Sequence, residues 1–257
     1  MPNGEAPRGS ADRLVHLLKL VAGGPSHFSL GDLAQRARLP ASTVHRLLQV
    51  LLRSGLVERG PGQSYRPGRE LHRLASQLVS RFDLGRSARP FLGDLVRTWH
   101  ETAVLCAYNP TTRKGVIVDA VLTPHPLRFN VEVGIEVGLP WGSLGRAILA
   151  HLPAGEIEAV FRETTTGPLT GRPRPSRDEF EADLAQVRAD GFARYFDPRF
   201  DLAGIAAPIF GADRELLGCL GVTMPSSRYQ LHLQADLAEA VREGARELSQ
   251  LAAISYS

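Results

Sequence analysis

The stretch Leu39-Pro40-Ala41-Ser42-Thr43-Val44-His45-Arg46-Leu47-Leu48-Gln49-Val50-Leu51-Leu52-Arg53-Ser54-Gly55 decides how the first third of this chain reads. Arg38-Leu39-Pro40 breaks whatever precedes it, and Pro40 suits a helix start because the first turn needs no partner for its missing N–H. The pattern predicts a helix from about Ala41 to Ser54, ended by Gly55. At helical spacing Val44, Leu47, Leu48, Leu51 and Leu52 share one side and call for burial. Ser42, His45, Arg46, Gln49 and Arg53, with Thr43 beside them, form a polar face that is free to touch something else.

Upstream, Leu14, Leu17, Leu18 and Val21 recur at i, i+3, i+4 and i+7, which predicts a helix from Asp12 that stops at Gly23-Gly24-Pro25. Ser29-Leu30-Gly31-Asp32 places a capping Ser three residues before an acid, ahead of Leu33, Ala34 and Ala37, and so predicts a short second helix. Downstream, Leu56-Val57-Glu58-Arg59 and Ser64-Tyr65-Arg66-Pro67 flank Gly60-Pro61-Gly62-Gln63, two short strands around a turn. Three helices, a tight turn between the second and third, and a terminal hairpin describe a winged helix-turn-helix. Its polar helix face fits the major groove, with Arg46 and its neighbours at base edges or phosphates. Arg59, Gln63 and Arg66 on the wing are placed for the backbone or minor groove. A packing module with a solvated basic face would account for charge alone, but not for this order of cap, helix, Pro-opened helix and hairpin.

Charge separates the ends of the chain. Residues 1–81 hold twelve Lys or Arg against five Asp or Glu, whereas residues 82–257 hold eighteen against twenty-two. Of 257 residues, 43% are hydrophobic, which supports two folded domains and excludes a disordered chain. No stretch without Asp, Glu, Lys or Arg exceeds 12 residues, too short for the roughly 20 needed to cross a bilayer. The polar opening MPNGEAPRGSADR lacks the apolar core of a secretory signal, so the expected location is the cytoplasm. Cys106 and Cys219 are the only cysteines, which excludes a disulfide framework and a four-cysteine metal site and reads as two small core residues.

Between the halves, Leu71, Leu74, Ala75, Leu78, Val79 and Phe82 form an apolar stripe that predicts a linker helix, free to dock on its own domains or on another subunit. Residues 88–99 follow as a helix with Phe91, Leu92, Leu95 and Trp99 inward. Strands are predicted at Thr102–Tyr108, Gly115–Leu122 and Pro126–Val133, then helices at Leu144–His151, Glu156–Arg162 and Asp178–Ala189. Strands return at Phe192–Phe196, Leu202–Phe210 and Leu216–Thr223, and a helix from about Leu231 to Ile254 closes the chain. The expected fold class is α+β, an antiparallel sheet with helices packed on it behind the N-terminal module.

The run Leu39 to Leu48, with Leu51 and the Ser54-Gly55-Leu56-Val57 corner, resembles the recognition helix of the IclR family of bacterial transcription regulators, and Tyr65-Arg66-Pro67-Gly68 is similar to that family's wing exit. Further phrases resemble its GAF-like effector-binding domain: Pro124-His125-Pro126-Leu127-Arg128, Gly138-Leu139-Pro140, Gly145 to Ala150, Asp190-Gly191-Phe192, Gly204 to Ile209, and Gly218 to Thr223 through Ser227-Arg228. The resemblance spans about residues 11–254. It implies a DNA-binding domain at 11–67, a linker helix at 68–86 and an effector-binding domain at 87–257. It also implies association into dimers or pairs of dimers on near-palindromic double-stranded DNA, and a small-molecule effector but no cofactor and no metal. Carried onto matching positions, the effector site comprises Leu139, Trp141, Ser143, Gly204 and Thr223. The helix opening near Ser143 suits an anion such as a carboxylate, with hydroxyls from Ser143 or Thr223 and Trp141 as a stacking wall.

The chain departs from that pattern in the loop from Pro140 to Gly145, which is about two residues shorter, and in Trp141-Gly142, which stand in place of small polar residues. Arg194-Tyr195-Phe196-Asp197 stand where many relatives carry an acidic run, and Gly221 and Met224 replace Ser and Gly. The effector is therefore not transferable from a relative, although a more hydrophobic or aromatic one is favoured. An enzymatic reading fails at the nucleophile: Gly142-Ser143-Leu144-Gly145 approaches G-x-S-x-G, but position 141 is Trp. The eight His residues show no metal-binding spacing. The remaining alternative is a DNA-bound regulator that answers to a protein partner instead of a small molecule.

Overall fold

The computed structural model describes residues 9–81, 84–129, 131–168 and 170–255, and divides into two compact units, Met1–Asp83 and Leu84–Ser257. The first opens with α1 (Ser10–Ala22), α2 (Leu30–Ala37) and α3 (Ala41–Arg53), followed by a hairpin of β1 (Val57–Arg59) and β2 (Tyr65–Pro67) and by α4 (Arg69–Arg81). Ser29 caps α2 as its spacing predicts: the Asp32 amide donates to Ser29 Oγ at 3.1 Å, and the Ser29 amide donates to Asp32 Oδ2 at 3.0 Å. Arg38 ends α2 in the left-handed conformation at φ 53°, which turns the chain sharply toward α3. Pro40 stands one residue before α3 rather than in its first turn. Its ψ of 141° is extended, and its carbonyl accepts from the Thr43 and Val44 amides.

Leu17, Val21, Leu33, Val44, Leu47, Leu48 and Leu51 make the core of this unit, closed by Phe28, Val57 and Tyr65 of the hairpin side. Gly68 is required where it stands, because a Cβ there would lie 2.1 Å from the Gly55 carbonyl oxygen. The corner that ends α3 and the start of α4 are thus pressed together. Of the linker stripe, Leu71 packs against this core while Leu74 and Ala75 are exposed. The side chains of Leu78, Val79 and Phe82 lie outside the described residues. The predicted continuous helix over 68–86 resolves into α4 and the start of the next helix at Leu84, and residues 82 and 83 between them are outside the described set.

The second unit is an antiparallel six-stranded sheet with helices on both faces. Its elements are α5 (Leu84–Trp99), β3 (Thr102–Asn109), β4 (Lys114–Val121), β5 (Glu136–Val137), α6 (Gly142–Leu149), α7 (Ala154–Glu163), α8 (Arg177–Asp190), β6 (Ala193–Asp197), β7 (Leu202–Phe210), β8 (Leu216–Met224) and α9 (Gln234–Ser255). The strand order is β5-β4-β3-β8-β7-β6. One core joins α5 and α9 to one face through Leu92, Ile205, Leu220, Val222, Val241 and Leu248; the other joins α6 and α8 to the opposite face through Ile148, Leu149, Leu184, Ala206 and Cys219. Both cysteines are fully buried and stand opposite one another in the β3–β8 register.

Two expectations are corrected here. The helix expected from residue 88 begins four residues earlier and carries Pro90 inside it. No strand forms over Pro126–Val133 among the described residues. Pro124 and Pro126 offer no N–H for a ladder, Leu127 and Val133 are more than 60% exposed, and β4 pairs instead with Glu136–Val137.

Candidate functional site

Each unit presents a candidate site. In the first, α3 is held from behind by the core and turns its polar face outward: Ser42, His45, Arg46 and Arg53 are exposed, and Thr43 and Gln49 are half-buried at the edge. Gln49 Nε2 lies 3.3 Å from His45 Nε2, one turn apart on the same face. The wing carries Arg59, exposed, and Arg66, which pairs with Glu58 at 3.1 Å across the hairpin. Glu58 also accepts from the Arg69 amide at 2.9 Å, and this bond together with Arg66 holds its carboxyl below the usual carboxylate range. Part of the Arg66 charge is therefore spent within the wing, a constraint that sequence reading does not reveal. Gln63 is at the hairpin tip, and its side chain lies outside the described residues.

In the second unit a cavity of about 330 Å³ opens at the N-terminus of α6. Trp141 precedes α6 without a side-chain cap, so the first-turn amides have no side-chain acceptor of their own, and Gly142, Ser143 and Leu144 of that turn line the cavity. The Trp141 ring forms one wall, and its carbons come within 3.4 Å of the position a Cβ on Gly167 would take. Ser143 is buried and lines the floor beside Gly204 of β7 and Thr223 of β8, whose Oγ1 donates to the Ala203 carbonyl at 3.5 Å. The structure thus brings together four of the five residues carried over from the resemblance. Leu139 does not line the cavity: it is 1% exposed and packs in the core with Ile148 and Leu149.

The opposite wall was not legible in the sequence. Tyr195, Phe200 and Leu202 line it, while Gly167, Pro168 and Thr170 of a strap closed by the Thr166–Pro173 bridge sit beside Trp141. Tyr195 donates its hydroxyl to Asp197 Oδ2 at 3.4 Å, and Asp197, nearly fully buried, is paired with Arg172 of the strap at 2.9 Å. Burial, reinforced by the Asp197 charge, raises the Tyr195 phenol above its ordinary range and keeps it a neutral donor. Among the described residues the one charged side chain on the lining is Glu136, which is paired with Lys114. The cavity is therefore a largely apolar slot with side-chain hydroxyls on its lining and the first turn of α6 at its edge. No group of three or more His, Cys, Asp or Glu able to hold a metal occurs among the described residues.

A DNA-reading helix-turn-helix joined to a ligand-sized cavity in a separate α+β unit defines a class of protein, and the comparisons agree with it. Residues 10–61 match the IclR helix-turn-helix domain and residues 76–250 the bacterial transcriptional regulator IclR C-terminal domain. The chain belongs to the IclR family of transcriptional regulators. It is 31% identical to the glycerol operon regulatory protein of Streptomyces coelicolor over 93% of this chain and 94% of that one, and 26% identical to the transcriptional repressor IclR of Escherichia coli over 93% and 88%. Among solved structures, a putative IclR regulator from Silicibacter sp. TM1040 superposes with a TM-score of 0.81 at 25% identity, covering 95% and 96%. An IclR homolog of Microbacterium hydrocarbonoxydans complexed with 4-hydroxybenzoate superposes at 0.78 with 21% identity, covering 94% and 98%. No helix of the described residues is long and apolar enough to cross a membrane.

Proposed function

We propose that this regulator binds a small molecule with an apolar, aromatic body and one carboxylate in the cavity at α6, and that occupancy changes its affinity for operator DNA. The cavity carries this reading: its volume is within the range of small-molecule sites, its walls are apolar, and its polar groups converge at one helix opening suited to a carboxylate. The bound 4-hydroxybenzoate of the Microbacterium homolog supports the same ligand class. A protein partner in place of a small molecule would leave the apolar slot without a purpose. On the DNA side, Ser42, Thr43, His45, Arg46, Gln49 and Arg53 read the major groove, and Arg59, Gln63 and Arg66 hold the flanking backbone. Residues 11–67, 68–86 and 87–257 then divide the labour as DNA reader, linker and sensor. Self-association into a dimer or a pair of dimers would place two α3 helices on a near-palindromic site in the cytoplasm.

Titration with 4-hydroxybenzoate and benzoate tests the sensor, read by tryptophan fluorescence. The chain has two tryptophans, Trp99 and Trp141, and only Trp141 lines the cavity. Saturable quenching that disappears in Trp141→Phe is expected. Absence of saturable binding to either compound at millimolar concentration would defeat the assignment of ligand class.

A further inference from the structure

A second cleft, of about 520 Å³, lies at the other end of β7 from the effector cavity. Its floor is Ala207, Pro208 and Phe210, and its rim is drawn from the chain after α6, the last turn of α8, the β7–β8 turn and α9. Residues 84–257 hold eighteen Lys or Arg against twenty-one Asp or Glu, yet this cleft gathers Arg188, Arg214, Arg242 and Arg246 against Glu239 and Glu243 alone. The local charge opposes the sign of the unit around it.

The two glutamates are already committed: Glu239 pairs with Arg242 at 3.1 Å and Glu243 with Arg246 at 2.5 Å. Arg188 and Arg214 have no carboxylate within ion-pair distance among the described residues. Arg188 donates to the Ala150 carbonyl at 2.9 Å, and Arg214 lies over the Phe210 ring at 5.6 Å. Arg214 also sits in a costly place, since Asp213 and Arg214 both take left-handed φ values of 52° and 61° in a turn that favours Asn or Gly. Between the two arginines stands His151, edge-on to Phe210 at 5.3 Å, with a buried Nε2 that has no hydrogen-bond partner. Both arginine charges act on that ring. Two guanidiniums without an ion-pair partner thus flank one concavity, beside a buried ring nitrogen that has no hydrogen bond, while both glutamates of the cleft are engaged by other arginines.

We propose that this cleft is a second small-molecule site, which takes a compact anion of two or more charges, phosphorylated or polycarboxylic, with Arg188 and Arg214 as its direct partners. Guanidinium suits such ligands because its planar fork meets phosphate or carboxylate with two parallel hydrogen bonds. The site shares no lining residue with the effector cavity, so the inference stands apart from the function proposed above.

Calorimetric titration of the full chain with inorganic pyrophosphate, and in parallel with citrate, tests it. Saturable binding that weakens with salt is expected, at least tenfold weaker in Arg188→Gln and in Arg214→Gln, and unchanged in Ser143→Ala and Arg46→Ala. Tighter pyrophosphate would assign a phosphorylated ligand and tighter citrate a polycarboxylate. Arg214 is exposed on a turn, so its variant keeps the test decisive if Arg188→Gln folds poorly. No saturable binding of either probe would overturn the proposal. So would equal binding by wild type and Arg214→Gln, or loss in Arg46→Ala instead, which would put the anion on α3.

Discussion

Ser143 Oγ stands 2.8 Å from the position that a Cβ on Gly204 would occupy, and the Val222 carbonyl oxygen closes the same point from the other side at 2.8 Å. Helix α6 and strand β7 approach so closely there that the cavity floor depends on a missing side chain. Gly204→Ala is expected to push Ser143 off the floor and to weaken aromatic carboxylate binding at least tenfold, while operator affinity without ligand stays within twofold. Titration calorimetry and DNA anisotropy measured side by side would check both halves. Ligand affinity unchanged by the methyl group would remove Gly204 and Ser143 from the site.

Arg46 is exposed on α3 with no ion-pair partner among the described residues, so its guanidinium is available to a base edge. Arg46→Ala should cost about 1–3 kcal/mol of specific DNA binding and relax preference at one position of the site. Arg59→Ala on the wing should instead weaken binding across all sequences and reduce the salt slope by about one phosphate contact. A pair of salt titrations on specific and random DNA distinguishes the two behaviours.

The capping box fixes the start of α2, whose Leu33 and Ala37 share a core with α3. Ser29→Ala removes the hydroxyl that accepts the Asp32 amide, a loss of about 1 kcal/mol by analogy with other helix caps. A lower unfolding midpoint for the N-terminal unit, with retained but weaker DNA binding, is the expected result of thermal denaturation. An unchanged midpoint would show that the cap is replaced by water.

His151 supplies a pH dependence. Burial first, then the charges of Arg188 and Arg214, lower its imidazole pKa below the ordinary value. As pH falls through about 6.5, the unfolded chain takes up a proton that the folded chain still refuses, so the unfolded state binds more protons and stability declines. Stability linked to this residue is present above that pH and is lost as pH drops through the folded pKa. His151→Phe, which keeps a ring against Phe210, is expected to flatten the fall in unfolding midpoint between pH 7 and pH 5. An identical fall in both proteins would assign the pH dependence to other groups.

The first unit was legible in the sequence because its signals are local. The Ser29 cap, the helical spacing of Val44, Leu47, Leu48 and Leu51, and the Gly-Pro-Gly hairpin tip each act within a few residues. The second unit is governed by pairings across distance, and there the reading falters. Leu127, Phe129, Val131 and Val133 alternate like a strand, yet the edge position beside β4 goes to Glu136–Val137. Leu139 sits in a phrase typical of the family but points into the core, because Gly145 of α6 packs against its backbone, where a Cβ would meet the Leu139 carbonyl oxygen at 2.7 Å. Tyr195 and the strap over 164–175 carry no periodicity that would mark a cavity wall. Only the fold brings them to the cavity that Trp141 lines.

The central claim is that α3 reads particular DNA sequences. Genomic fragments from the source organism would be selected on the full-length protein at about 0.15 M salt, with Arg46→Ala as the parallel control, and the affinities of the retained fragments measured by fluorescence anisotropy. A small set of intergenic fragments held tightly by the wild type and weakly by Arg46→Ala is the predicted result. Retention that is indifferent to sequence, and equal in the two proteins with and without 4-hydroxybenzoate, would contradict it.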